Sequence, residues 1–328
     1  MNYHKRMIGL ALLLGCVSAV VIYATADAGL IEHLQSFRPW AVGLALVFWT
    51  IGMYFDCTRL VLLVEMANRH ITCKQSLTVI LSNYFLAMLT PGATGGPVAQ
   101  VLVLKELGVS AGCATVLVLV RTMLSIVFLA IAAPLVLWLD GALSAWVPIE
   151  GVIAIAIGMI AMLIGGMVSV QTRVMRRLIL WCIRRLSKRR RRSIWRLYCD
   201  VEVASSLIVS APCKMIRVMV DTAISLLALY AIVPALFLGL GIEVDWITIL
   251  GRMILLNLVL YFAPTPGGSG IAEGGFVYLF EGFLPNGTVG VLAVMWRILA
   301  EYLPFALGMY CSLKIVGSRL LAKVEQAV

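Results

Sequence analysis

The chain has 328 residues, of which 62% are hydrophobic and only 13% are charged, and its formal net charge is +10. Soluble domains contain about 25% charged residues, so this composition leaves too little polar surface for a water-soluble fold. It excludes a soluble enzyme or carrier and predicts one membrane-embedded domain over residues 1–328.

Six apolar segments are long enough to predict membrane-spanning helices, since a helix needs ~20 residues to cross the hydrocarbon core. The first segment follows Lys5 and Arg6, and flanking cations stay on the cytoplasmic side. The amino terminus is therefore expected in the cytoplasm. The predicted spans are 8–24, 40–64, 111–138, 149–170, 215–240 and 289–315.

Two further apolar stretches, 77–104 and 246–284, are interrupted by proline and glycine. The first contains TPGATGGP at 90–97 and the second contains PTPGGSG at 264–270. Proline removes an amide donor and glycine loosens the backbone, so a helix cannot continue through either segment. The short pieces on each side predict two re-entrant hairpins.

The charges of the loops favour this arrangement. Residues 173–196 contain eleven Lys and Arg residues. With six spans and two hairpins this basic segment is cytoplasmic, as are both termini, and Arg38 is the one misplaced loop cation. Counting each broken stretch as a span would place the basic segment outside, against the positive-inside rule.

The basic segment has a further possible role. A basic run can bind nucleic acid, but a position between two spans favours a topological role, and no nucleic-acid partner is predicted. Apolar residues interleave with its arginines, a pattern typical of a surface helix on anionic lipid. These apolar residues are Val174, Leu178, Trp181, Ile183 and Leu186.

The two broken stretches resemble each other. In each, an asparagine precedes the proline by eight or nine residues, and an arginine follows it by thirty or thirty-one. The matching positions are Asn83 and Asn257, Pro91 and Pro266, Gly95 and Gly270, and Arg121 and Arg297. They predict repeats over 40–138 and 215–315. Because the hairpins would enter from opposite faces, the repeat is inverted, as in many secondary transporters.

Arg121 and Arg297 are the most costly residues of the predicted spans. An arginine at mid-bilayer costs about 2.5–3.5 kcal/mol on insertion scales, which makes it a functional candidate. Arg297 could hold a lipid phosphate or pair with Glu301 four residues later. The corresponding neighbour of Arg121 is the neutral Ser125, which favours substrate binding.

The Pro-Gly segments predict free backbone amides at helix starts near Pro97 and Ile271. Such amides bind anions, although the same glycines could instead allow close helix packing. Glu273 lies in the first turn after the second break. It could neutralise a cationic headgroup, relay a proton or pair with an arginine.

Other charges within the apolar segments have local explanations. Asp56 and Arg59 are three residues apart, and Arg217 and Asp221 are four apart. Both spacings predict intrahelical ion pairs. Arg252 has no candidate partner nearby in the sequence.

The sequence indicates neither a metal nor a cofactor. The eight cysteines include no CxxC pair and the three histidines are far apart, so no zinc site or disulfide framework is indicated. No Walker loop, dinucleotide fingerprint or hydrolytic triad occurs.

The segment PTPGGSGIAEGGF at 264–276 resembles the signature of the lysylphosphatidylglycerol synthase transmembrane family, also called flippase-like proteins. LTPGATGGPVAQ at 89–100 is similar to the weaker partner motif of that family. The resemblance implies an all-α domain that translocates aminoacylated or otherwise modified lipids across the bacterial inner membrane. It implies a site formed by Pro266, Gly267, Gly268, Gly270 and Glu273, with Arg121 and Arg297 nearby. The repeat positions Pro91, Gly92 and Gly95, together with Glu301, complete the candidate set.

The leading hypothesis is a lipid flippase or lipid-binding transporter whose substrate is a phospholipid or a polyprenyl-phosphate-linked lipid. The family name also implies lysyl transfer to phosphatidylglycerol. That reaction needs a separate cytoplasmic domain, and we expect none, since the chain ends thirteen residues after its last predicted span. Gln100 stands where other members often carry a charge. A non-transporting partner of a synthase or glycosyltransferase and a small-solute transporter remain alternatives.

Overall fold

A computed structural model describes residues 35–141, 150–154, 172–184, 188–243, 245–285 and 287–312, with isolated positions at 23, 157–158, 161, 165, 169 and 314. The predicted span 8–24 and most of the span 149–170 lie outside these residues. Every regular element in the described ranges is helical, which confirms the all-α class.

The described α-helices follow one another with short connections. They are α1 (Trp40–Met66), α2 (Cys73–Leu89), α3 (Gly95–Glu106), α4 (Ala111–Leu139), α5 (Arg173–Ile183), α6 (Lys188–Val209), α7 (Pro212–Tyr230), α8 (Ile232–Gly239), α9 (Trp246–Leu260), α10 (Ile271–Phe280) and α11 (Val289–Arg297). Short 3₁₀ turns lie at Pro91–Ala93, Pro266–Gly268 and Glu281–Phe283, and a π-helical turn occupies Ile298–Tyr302.

Four helical segments of the described chain are long and apolar enough to cross a membrane. They are Trp40–Met66, Ala111–Leu139, Pro212–Gly239 and Val289–Ser312. They coincide with the four predicted spans that fall in the described ranges. The chain is therefore an all-α polytopic membrane protein, while the total of six spans stays a prediction.

The chain leaves the helical path at both predicted interruptions, and it does so in the same way. Gly92 has φ 61° and ψ 23° and Gly267 has φ 57° and ψ 18°. The next residues, Ala93 and Gly268, also have positive φ, at 53° and 70°. Left-handed backbone is accessible to glycine without a steric penalty. This backbone conformation therefore explains why glycine occurs at positions 92, 267 and 268.

The element order around each break also recurs. A long helical segment, a shorter helix, a 3₁₀ turn, another short helix and a second long helical segment follow in sequence, first from α1 to α4 and then from α7 to α11. In the second case a further 3₁₀ turn, Glu281–Phe283, precedes the last segment. The first break departs from expectation in its bounds. The helix α2 begins at Cys73, earlier than predicted, and α3 begins at Gly95 rather than near Pro97.

The chain divides into two compact units. Unit 1 comprises Met1–Met53, Leu81–Gly96 and Leu227–Val328, and unit 2 comprises Tyr54–Ile80 and Pro97–Leu226. The core of unit 1 is aromatic: the rings of Phe276 and Trp296 are stacked with centroids 5.4 Å apart, and Phe237 meets Phe280 edge-on at 5.6 Å.

The core of unit 2 is built around the packing of α4 against α6. A methyl group added at Gly112 would lie 2.7 Å from the carbonyl oxygen of Leu197, so only glycine allows this approach. The helix α6, which begins in the predicted basic segment, is thus anchored by its later residues, where Tyr198 and Ala204 are buried.

Candidate functional site

The two Pro-Gly turns pack against each other within unit 1. A methyl group added at Gly267 would lie 3.3 Å from the side chain of Met88, in the last turn of α2. At Gly92 the corresponding methyl group would approach the carbonyl oxygen of Ala263 at 4.0 Å. Segments 175 residues apart in the sequence thus form one region of irregular backbone.

A buried ion pair adjoins this region. Nε of Arg297 donates a hydrogen bond to Oε1 of Glu273 at 3.1 Å, and Nη2 donates to the carbonyl oxygen of Gly267 at 2.8 Å. Glu273 is 0% exposed and Arg297 is 1% exposed. The Arg297 guanidinium thus connects the second Pro-Gly turn to the first helical turn of α10.

Glu273 also stabilises the start of α10. The amide of Gly270 donates a hydrogen bond to Oε2 of Glu273 at 2.7 Å, the reciprocal half of a capping box. The carboxylate therefore occupies the position where a helix N-terminus would otherwise attract an anion. The amide of Gly270 is not free, contrary to prediction.

The start of α3 is satisfied in a similar way. Here the amide of Gly95 donates to Oγ1 of Thr90 at 2.8 Å. A hydroxyl thus does at the first break what a carboxylate does at the second. A methyl group on the next glycine, Gly96, would overlap the side-chain oxygen of Asn83, which supports the packing interpretation of these glycines.

The pair with Glu301, one of the two alternatives that the sequence left open for Arg297, does not form; the ion-pair partner of Arg297 is Glu273. A π-helical turn begins at Ile298, directly after Arg297, and its wider repeat moves a residue at i+4 off the face that it would share in an α-helix. Glu301 is half-buried and interacts with both Arg297 and Glu273 only through longer-range electrostatics.

A side-chain hydroxyl without a hydrogen-bond partner lies at the start of the second Pro-Gly turn. Within the described part of the chain, Oγ1 of Thr265 is buried and has no hydrogen-bond partner. A buried polar atom of this kind is uncommon in folded proteins and requires an explanation. Its hydroxyl is a hydrogen-bond donor in addition to the N–H groups of the Arg297 guanidinium.

A second buried cluster of charges lies in unit 2, centred on Asp56. Its Oδ1 accepts from Nε of Arg59, and its Oδ2 accepts from Nη2 of Arg121, each at 2.5 Å. Arg121 also donates to Oε1 of Gln100 at 3.3 Å, and Arg59 donates to the hydroxyl of Ser125 at 3.0 Å. The two arginines and one aspartate carry one excess positive charge.

The sequence identified Asp56 and Arg59 as a pair, and the structure confirms it. It did not identify Asp56 as the partner of Arg121, which is 65 residues away. An isolated carboxylate in an apolar span signals a buried partner, but its spacing to Arg121 in the sequence could not reveal that partner.

Two other predictions about charges have different outcomes. Among the described residues no ion pair joins Arg217 to Asp221; Asp221 instead accepts a hydrogen bond from the hydroxyl of Thr58 at 2.8 Å, and Arg217 is exposed. That predicted pair is wrong. Arg252 binds the carbonyl oxygen of Leu279 and lies 4.4 Å from the ring centroid of Phe283, so its partners come from α10 and the 3₁₀ turn that follows.

The described residues contain two Pro-Gly turns in contact, a buried arginine–glutamate pair beside them and four helical segments suited to a membrane. This is the description of a multi-pass membrane domain with a polar site on interrupted helices. The chain belongs to the family of the lysylphosphatidylglycerol synthase TM region, whose model matches residues 6–308, so the resemblance drawn from the two motifs is confirmed.

A relative from an archaeon shows how widely the sequence has diverged. A UPF0104 membrane protein of Archaeoglobus fulgidus is 23% identical over 269 residues, which are 78% of this chain and 79% of that protein. The similarity thus covers most of both chains.

Proposed function

We propose that this chain binds the headgroup of a phospholipid beside the second Pro-Gly turn and moves it between the leaflets of a bacterial inner membrane. In this proposal both termini are cytoplasmic. The lipid is aminoacylated or otherwise carries an amine with its phosphate, and a separate synthase or glycosyltransferase would supply it.

The observation that carries the proposal is the buried Arg297–Glu273 pair on interrupted helices. The helices α9 and α10 have 15 and 10 residues. At 1.5 Å per residue they extend about 22 Å and 15 Å, less than the ~30 Å hydrocarbon core. Turns that join such short helices fall within the bilayer, where irregular backbone is tolerated only if protein or a polar cavity surrounds it.

The mechanism follows from exchange of one ion pair for another. When Arg297 and Glu273 separate, a phosphate takes the place of the carboxylate on the guanidinium, and an ammonium takes the place of the guanidinium on Glu273. Because both charges are replaced together, no uncompensated charge remains buried, which would cost several kcal/mol.

The turn residues assist the exchange in different ways. The guanidinium has five N–H donors, and its bonds to Glu273 and Gly267 use two of them. The free hydroxyl of Thr265 can donate to a phosphate oxygen. The glycines keep side chains away from the path of the headgroup, while the acyl chains remain in the bilayer.

Translocation of a labelled phospholipid tests this proposal. The double variant R297M/E273Q removes both charges at once, so it leaves no unpaired buried ion and keeps an acceptor for the Gly270 amide. In reconstituted vesicles, we expect wild-type protein to move fluorescent aminoacylated phospholipid between leaflets, and the double variant to do so at least about tenfold more slowly.

The matched control is R217Q, which removes an exposed charge outside the site and should translocate at the wild-type rate. Equal translocation by wild type and a folded R297M/E273Q variant would show that the pair has only a structural role. The proposed function itself would be overturned if neither wild type nor any variant moved the lipid faster than it moves in empty vesicles.

A further inference from the structure

The helix α5 presents an apolar strip that no described residue covers. Val174, Leu178 and Trp181 are spaced at i, i+4 and i+7, so they share one face of the helix. Their exposures are 65%, 50% and 69%. On a different side, Met175 and Ile179 are only half-exposed. The strip is therefore an outward face and not part of the core of unit 2.

Arginines border the strip along its length. Arg177 and Arg184 are two turns apart on the adjacent face of α5, and both are exposed. Arg191, from the first turns of α6, completes the border. Together with the strip these three arginines line an open groove of about 740 Å³. Leu180 also lines the groove, so four apolar side chains and three guanidinium groups surround it.

A contact outside the groove also links α5 to α6. The guanidinium of Arg176 lies 5.6 Å from the ring centroid of Trp195 on α6. At its start, α5 is capped by Thr172, whose hydroxyl accepts a hydrogen bond from the amide of Met175 at 3.3 Å. The groove is thus built on two helices of one unit and needs no further element to exist.

We propose that this groove binds an anionic phospholipid of the surrounding membrane. The guanidinium groups hold the phosphate through charge-assisted hydrogen bonds, and an acyl chain lies along Val174 and Leu178. Tryptophan is typical of the boundary between headgroups and hydrocarbon, which is where Trp181 would then be placed. This site is separate from the one proposed in unit 1 and does not depend on transport.

The lipid is favoured over an acidic peptide by the shape of the groove. A peptide bound to three arginines needs side-chain carboxylates at matching positions, whereas a phospholipid supplies one anion joined to long apolar chains. The groove is complementary to such a lipid, because its clustered cations lie next to about two helical turns of apolar surface.

Quenching of tryptophan fluorescence by brominated acyl chains tests the proposal in the full chain. The protein is placed in nanodiscs of phosphatidylcholine that contain a small fraction of phosphatidylglycerol, and either lipid is brominated in turn. The contribution of Trp181 is the difference between wild type and W181F. We expect brominated phosphatidylglycerol to quench Trp181 more strongly than the same fraction of brominated phosphatidylcholine.

The triple variant R177Q/R184Q/R191Q should abolish this preference, since each cation near an anionic lipid contributes about a fivefold preference. The matched control is R69Q/K74Q/K105Q, which removes three exposed cations of the same unit and should keep the preference. Equal quenching by the two lipids in wild type would overturn the proposal. So would quenching by neither lipid, which is the outcome expected if a protein partner or a second copy covers the strip.

Discussion

At the scale of single residues, the buried charges are organised by their partners in three dimensions. Glu273 connects the Gly270 amide to the Arg297 guanidinium, and Asp56 connects two arginines. Each acid therefore satisfies more than one group that would be costly to bury alone. Removal of either acid leaves a cation without its counter-ion in a segment with little access to water.

The first prediction concerns the stability contribution of Glu273. We expect E273A to lower the free energy of unfolding by about 3–5 kcal/mol, because it leaves a buried guanidinium uncompensated. R297M/E273Q should recover most of this loss, since both charges are removed together. Equilibrium unfolding in mixed micelles measures both changes.

Equal destabilisation by E273A and by the neutral double variant would contradict this account of the pair. It would mean that removing both charges together costs as much as leaving the guanidinium uncompensated, so charge compensation would not determine the stability contribution of the pair.

At the scale of elements, the two motifs predicted where the helices are interrupted, but they did not predict which segments contact the interruptions. Proline and glycine act on the local backbone, so the positions of both turns followed directly from the sequence, and α10 begins at Ile271 as predicted. The contact between the turns depends on tertiary packing. The choice between Glu301 and another partner for Arg297 could not be made from residue spacing, because nothing in the spacing indicates the π-helical turn after Arg297.

A second prediction follows from the shared backbone conformation of the turns. Gly92 and Gly267 have nearly the same positive φ and ψ, and left-handed backbone costs a residue with a Cβ about 1–2 kcal/mol. G92A and G267A should therefore each destabilise the protein by roughly this amount, with the larger loss at G267A, where the methyl group meets Met88.

The control for this comparison is G274A, within α10. Gly274 is exposed, and an added methyl group there would meet nothing within 4 Å. Alanine is also the better helix former, so G274A should be neutral or slightly stabilising. If G274A were as harmful as G267A, the conformational explanation of the turn glycines would be wrong.

At the scale of the whole molecule, composition alone established a helical membrane protein, because hydrocarbon tolerates few backbone structures. Four spans in the described residues agree with the predicted ones. The division into two units was not predicted, since it separates residues that are consecutive within α1, α2, α3 and α7. Neither could the distribution of charge between the two clusters be read from the chain, because Asp56 and Glu273 lie at unrelated positions in the two repeats.

Photocrosslinking is the most direct measurement of the central claim, that a lipid headgroup occupies the Arg297–Glu273 position. A phospholipid with an amine and a diazirine in its headgroup is incorporated into nanodiscs with the full chain, and the adducts are mapped by mass spectrometry. The account predicts adducts on the peptide that contains Thr265–Glu273 and their loss in R297M/E273Q. Adducts confined to residues outside the turns, or an unchanged pattern in the double variant, would contradict it.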